Sequence, residues 1–210
     1  MNKDELKKEI EQYLINLQII YDSFNLYKKI KSSVIDYNNE IQSISAFLQV
    51  CLYSLETTFF ISLSKYFMKN SNENTINNLL NLCEKNSKLF PTAHITDYNY
   101  PNGETERFEE PFNVLEDIKQ IRKDFKKYNK TISNLRKIRN KYFAHADRNY
   151  FKRPNELFKQ YSIKNTDLEN LINVLYKSLN TLLNDLCSEL YCFGDDHIDD
   201  FNYLLYKLKK

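Results

Sequence analysis

Glycine is almost missing from this chain: Gly103 and Gly194 are the only two, and four prolines complete the stock of strong turn formers in 210 residues. An all-β fold needs many tight turns, so this scarcity excludes one and favours long helices joined by a few loops. The opening Met1-Asn2-Lys3-Asp4-Glu5-Leu6-Lys7-Lys8 is charged and lacks the apolar core and small-residue cleavage site of a secretory signal. Charge is sparse from Ile41 to Ser64, but Gln42, Ser43, Ser45, Gln49, Ser54, Glu56 and Thr57 interrupt the run. A buried helix is expected there rather than a membrane span. The four cysteines, Cys51, Cys83, Cys187 and Cys192, form no C-x-x-C pair. Reduced thiols in a cytoplasmic protein are the expectation. Cys187, Cys192 and His197 match no familiar zinc spacing, and His94 and His197 read as ordinary polar residues. Neither a metal nor a cofactor is expected.

What is present is a globular composition, 42% hydrophobic and 14% aromatic, enough for one domain across residues 1–210. Leu6, Ile10, Tyr13, Leu17, Ile20, Phe24 and Tyr27 recur at steps of three and four, predicting a helix from about Asp4 to Ile30. Ile41, Ile44, Leu48, Cys51, Leu55, Phe59, Leu63 and Tyr66 predict a second helix from about Asn38 to Asn70, and a third follows from about Thr75 to Leu89. The stretch 90–112 holds Pro91, Pro101, Pro111 and Gly103 and reads as one long loop. Helical runs follow over Val114 to Tyr128 and Thr131 to His145, and the pattern leaves open whether Asn129-Lys130 breaks them. Thr166-Asp167-Leu168-Glu169 has the form of a capping box opening a helix with leucines at 168, 171, 175, 179, 182, 186 and 190, which Gly194 would stop. A short helix with Ile198, Phe201, Leu204, Leu205 and Leu208 closes the chain. The expectation is an all-α bundle of five to seven helices.

The net charge of +2 conceals an asymmetry. From Lys119 to Arg153 stand thirteen Lys or Arg against Asp124 and Asp147, a net of +11, so the remainder carries −9. A segment this basic on an otherwise acidic protein is an electrostatic footprint for a polyanion, or else a solvated helix face. Within it, the helix from Thr131 has a marked feature. At about 100° per residue, Arg139 falls near 340°, inside the apolar arc of Ile132, Leu135, Ile138, Tyr142 and Phe143. His145 falls at the edge of that arc, while Lys137 and Lys141 lie on the opposite, wet side. A guanidinium among hydrophobes needs an anion or a solvated cleft, because burying it alone costs about several kcal/mol. Glu56, the only charged residue between Glu40 and Lys65, is its candidate partner, either as scaffold or as a device that orients it.

Arg139-Asn140-Lys141-Tyr142-Phe143-Ala144-His145 resembles the HEPN motif, an Arg followed after four to six residues by a His, often with a polar residue beside the Arg. The wider form Leu135-x3-Arg139-Asn140-Lys141-x2-Ala144-His145-x-Asp147 is similar to the HEPN branch of AbiU-type abortive-infection systems. Tyr53-Ser54-Leu55 through Leu63-Ser64-Lys65-Tyr66-Phe67, then Ile76 to Leu82, resemble it too, so the likeness covers about Ile41 to Leu190. One HEPN subgroup carries a modifiable Tyr two residues after the His, whereas Asp147 stands here, so that regulation is not expected.

The resemblance implies a two-fold homodimer whose motifs meet in one cleft and cleave RNA without metal, as a toxin or phage-defence effector with a possible cognate antitoxin or partner protein. It implies Arg139 as phosphate clamp, His145 as acid/base and Asn140 as the polar residue positioning them, with Glu56 and Asp147 in support. Arg136, Lys137, Lys141 and Arg148 would add RNA contacts. Such roles are chemically coherent: a His titrates near neutral pH, and Arg grips phosphate oxygens in pairs while staying charged. The competing expectations are a non-catalytic HEPN-fold module that binds nucleic acid or nucleotide, and an interaction protein that uses Arg139 at its interface.

Overall fold

The structure, a computed structural model, describes residues 1–36, 44–68, 74–99, 105–144, 154–194 and 196–208. Among the described residues are eight α-helices: α1 Lys3–Asp36, α2 Ser45–Lys65, α3 Ile76–Lys85, α4 Val114–Lys127, α5 Asn129–Ile138, α6 Pro154–Gln160, α7 Asn165–Cys187 and α8 Asp196–Leu208. A π-helical turn, Arg139–Ala144, continues directly from α5.

The bundle is organised around α1. Its seven predicted stripe residues are all buried, none more than 6% exposed. On them pack α2, through Phe59, Phe60 and Leu63, and α7, through its leucines. Phe24 and Tyr27 of α1 meet the Phe59 ring edge-on at 5.3 and 5.4 Å. The helix runs past its predicted end to Asp36; Ile30 enters a second, smaller core with Leu48 of α2 and Phe201 and Leu205 of α8, and Ser33, a turn further on, is also buried. A buried side-chain hydroxyl, Thr75 Oγ1, accepts from Asn78 N at 3.2 Å and caps α3. Between α4 and α5 the helix does break, at Tyr128, whose N–H turns back to Phe125 and Lys126.

Four expectations change. The stretch 90–112 is not one loop: Ala93–Asn99 (β1) and Thr105–Pro111 (β2) pair antiparallel, with Ala93 opposite Pro111 and Asn99 opposite Thr105. This ribbon is an appendage to the helical bundle. The helix α7 starts at Asn165, and its cap is Lys164, two residues before Thr166. Asp167 Oδ2 accepts from Lys164 N at 3.4 Å, while Glu169 instead pairs with Lys28 of α1 at 3.0 Å. It also ends before Gly194, at Cys187, with Ser188 in the left-handed region at φ 58°. The chain then folds back on α7: Tyr191 N donates to Asn180 Oδ1 at 2.7 Å, and Tyr176 OH donates to Tyr191 O at 2.8 Å. That reversal leaves Leu190 69% exposed instead of in the stripe.

Finally, α2 is only partly a core helix. Leu48, Phe59, Phe60, Leu63 and Ser64 are buried, yet Phe47, Val50 and Tyr53 are more than half exposed. By length and composition α2 could cross a membrane, the one such helix among the described residues. Its apolar residues extend beyond the single stripe that α1 covers.

Asp185 of α7 is buried, and burial first, then nearby Asp117, raises its carboxyl to about 7. A carboxyl raised on folding holds its proton more tightly in the folded state. Its stabilising contribution is therefore complete at low pH and is lost as pH rises from 3.8 through about 7. Asp185→Asn is expected to melt higher than wild type at pH 8, with the gap closing toward pH 4. A gap independent of pH would count against this burial cost.

Candidate active site

The predicted site falls where α5 passes into the π turn. Ile132, Leu135 and Ile138 are buried on the inner face of α5, as the wheel requires. Arg139 N still bonds back to Leu135, four residues earlier; beyond it the hydrogen bonds span five residues, so the 100° spacing stops applying after Arg139. The π turn is pinned to α2, where Phe143 lies nearly parallel to Phe60 at 5.2 Å, and Tyr142 meets Phe158 of α6 edge-on at 5.5 Å. Each such ring pair adds about 0.5–1.5 kcal/mol beyond its buried area. π turns recur at functional sites because they re-aim side chains at modest cost.

Arg139 is half-buried at the start of this turn. Its Nη1 donates to Asn140 Oδ1 at 2.8 Å, so the neighbour expected to position it does touch it. Its Nε is buried without a hydrogen-bond partner. The side chain lines a cleft of about 430 Å³ together with Asn16 and Ile19 of α1 and Ser62, Lys65 and Tyr66 at the end of α2. Volumes of this order suit small ligands. A cation with an unsatisfied donor at the wall of an open cleft is placed to receive an anion.

Lys65 and two tyrosines of this cleft, Tyr13 and Tyr66, were not among the sequence candidates. Their stripe positions marked both tyrosines as core, and Lys65 stood only at a helix end. Tyr13 OH donates to Thr75 O at 3.2 Å and Tyr66 OH donates to Tyr13 O. Burial raises both phenols, Tyr13 to about 12, so both stay protonated and neither serves as a base at neutral pH.

The expected Glu56–Arg139 pair is not formed. Glu56 Oε1 instead accepts from Tyr27 OH of α1 at 3.1 Å, and Lys31 donates to the same phenol oxygen while lying over the ring. The reason is the lie of α2: its Glu56 edge faces α1, while Ser62 and Lys65, six and nine residues further on, line the cleft with Arg139. Glu56 still acts on the motif at a distance, since burial, then Tyr53 and Glu56, raise the Tyr142 phenol.

Lys137 is exposed as expected, but Lys141 is half-buried. The two converge on Tyr161, at 4.9 and 5.3 Å from its ring centre, and Lys141 Nζ donates to the Tyr161 hydroxyl at 3.5 Å. Arg136 lines a different cleft, with residues of α3 and α4. His145, Asp147 and Arg148 lie outside the described residues. Among the described residues, no three His, Cys, Asp or Glu side chains gather as metal ligands.

A helical bundle carrying an Arg-Asn pair at the end of an amphipathic helix is consistent with the HEPN class, and the match to a HEPN family model, described as AbiU2, over residues 3–204 places the chain in it. The chain belongs to this HEPN family, which is associated with abortive infection. No curated protein and no solved structure matches it.

Since Tyr27 needs only an acceptor, Glu56→Gln is expected to keep thermal stability. Glu56→Leu, which strands that buried phenol, is expected to cost about 1–3 kcal/mol. Chemical denaturation of both variants tests this, and equal losses would mean the carboxylate charge itself holds α1 to α2.

Proposed function

We propose that this protein is a metal-independent endoribonuclease acting in abortive infection, with Arg139 and His145 as its reacting pair. The observation that carries the reading is Arg139: a half-buried guanidinium, steadied by Asn140, with a buried Nε that no group among the described residues satisfies, at the wall of an open cleft. Phosphate is the anion it suits, because a planar guanidinium matches two phosphate oxygens at once.

In this reading the RNA supplies its own nucleophile. The 2′-hydroxyl attacks the adjacent phosphorus, and one His145 takes its proton. The bond from phosphorus to the 5′-oxygen breaks, and a second, protonated His145 donates to that oxygen. The products are a 2′,3′-cyclic phosphate and a 5′-hydroxyl. Arg139 stabilises the charge gathering on the non-bridging oxygens, and Asn140 holds Arg139 in place.

Two histidines require two chains. The outer face of α2 supports a homodimer, since Phe47, Val50 and Tyr53 recur every three residues on one exposed side of the helix against which the π turn packs, Phe143 on Phe60. Contact between two copies along that face would bring the two motifs near each other.

Arg139→Ala and His145→Ala are expected to lower RNA cleavage by about 10²–10⁴-fold, with circular dichroism and dimer mass unchanged. Variants that cleave like wild type would overturn the ribonuclease reading. Unfolding of Arg139→Ala would favour an interaction module in which Arg139 is structural. Val50→Glu is expected to give a monomer by light scattering and to lose cleavage with it, and a wild-type monomer at micromolar concentration contradicts the shared cleft.

A further inference from the structure

A second cleft, of about 460 Å³, opens between α3, α4 and α5. Three cations line it: Arg122 and Lys126, one turn apart on α4, and Arg136 of α5. Asn77 and Asn129 add amides, the remaining lining is apolar, and no carboxylate is among the lining residues. Arg122 is held by Asn81 and Glu84, both through Nη2, at 2.7 and 2.8 Å, which leaves its other donors free of those two partners. The Arg136 Nε is buried and without a hydrogen-bond partner, as in Arg139. Burial lowers the Arg136 pKa with no nearby carboxylate offsetting it. No group among the described residues compensates this half-buried guanidinium, and burying charge without a counter-ion is costly.

The position of this cleft relative to the first is informative. Arg136 and Arg139 are three residues apart, so their Cβ atoms lie about 5–6 Å from each other. The end of α2 and the start of α3 are tied by the bond from Ile76 N to Tyr66 O at 2.9 Å. Tyr66 and Asn74 line the first cleft, and Phe67 and Asn77 line the second. The two basic clefts thus share the Tyr66–Ile76 junction, each with its own incompletely satisfied arginine.

We propose that the Arg122–Lys126–Arg136 cleft is a second phosphate site, holding a backbone phosphate of single-stranded RNA that flanks the one at Arg139. It rests on the ribonuclease reading for its ligand and adds a register to it. Phosphate contacts position a strand without reading its bases. A second grip therefore decides which phosphate reaches Arg139 and sets a minimum length of RNA.

The test uses 2′-O-methyl oligonucleotides, which cannot be cleaved by their own 2′-oxygen, so binding is read apart from catalysis. Affinity is measured across salt concentrations for the wild type, Arg136→Gln, and Lys126→Gln, whose exposed position tolerates the change if Arg136→Gln fails to fold. For an eight-nucleotide strand, Arg136→Gln is expected to weaken binding about tenfold, and Lys126→Gln less. Each is expected to reduce the salt slope by about 0.7, one phosphate contact. A dinucleotide, with its single phosphate, is expected to bind all three alike. Variants that bind the longer strand like wild type, or a wild type that does not bind it, overturn the proposal. So does inorganic pyrophosphate binding as tightly as the strand with the same Arg136 dependence, which would make this a free-nucleotide site. A wild type that binds in the expected pattern yet cleaves no RNA removes the ribonuclease reading and leaves the phosphate site standing.

Discussion

Burial of one face of α1 is the constraint on which the rest of the structure depends. Leu6, Ile10, Leu14, Leu17, Ile20 and Phe24 are almost free of solvent, and α2 and α7 both pack on them. At about 1.5–3 kcal/mol for each large side chain buried, this stripe supplies a major part of the driving force for folding. The site is built outward from it. Tyr13 and Ile20 sit in the stripe and also line the Arg139 cleft, and α2, seated on α1 by Phe59 and Leu63, presents Phe60 to hold the π turn. Arg139 is therefore fixed relative to the core by two packing steps, a half-buried cation with no acid paired to it among the described residues.

The basic footprint looks different once folded. Part of it is neutralised locally: Lys119 pairs with Glu116 at 2.7 Å, Lys127 with Asp124 at 2.6 Å and Arg122 with Glu84 at 2.8 Å. Exposed pairs of this kind contribute about 0–1 kcal/mol and are readily exchanged for another anion. Arg136 and Arg139 differ, because each is half-buried on a cleft wall and keeps an unsatisfied Nε. The segment thus combines exchangeable surface charge with two fixed grips.

The long helices were legible in sequence because their apolar residues repeat at helical spacing, and the α1 stripe appears in the core residue for residue. Arg139 was legible for the same reason, as a charge where the repeat demands a hydrophobe. Other features have no period. The ribbon strands 93–99 and 105–111 are mostly polar and give little alternation, although Asn102-Gly103 between them is typical of hairpin turns. The left-handed Ser188 and the fold-back through Tyr191 depend on contacts from a different turn of α7. Glu56 was identified as a lone charge, but its partner depends on which edge of α2 faces α1, and that is a tertiary fact. Lys65 and Arg122 became site residues only when α1, α3 and α5 closed around them.

The central claim is that RNA is cleaved by its own 2′-hydroxyl, with Arg139 holding the phosphate and no metal required. End-group analysis of RNA cut by the purified protein in excess EDTA tests it most directly. The account predicts undiminished cleavage, with 2′,3′-cyclic phosphate and 5′-hydroxyl ends. Cleavage that stops in EDTA, or products bearing a 5′-phosphate, would contradict it.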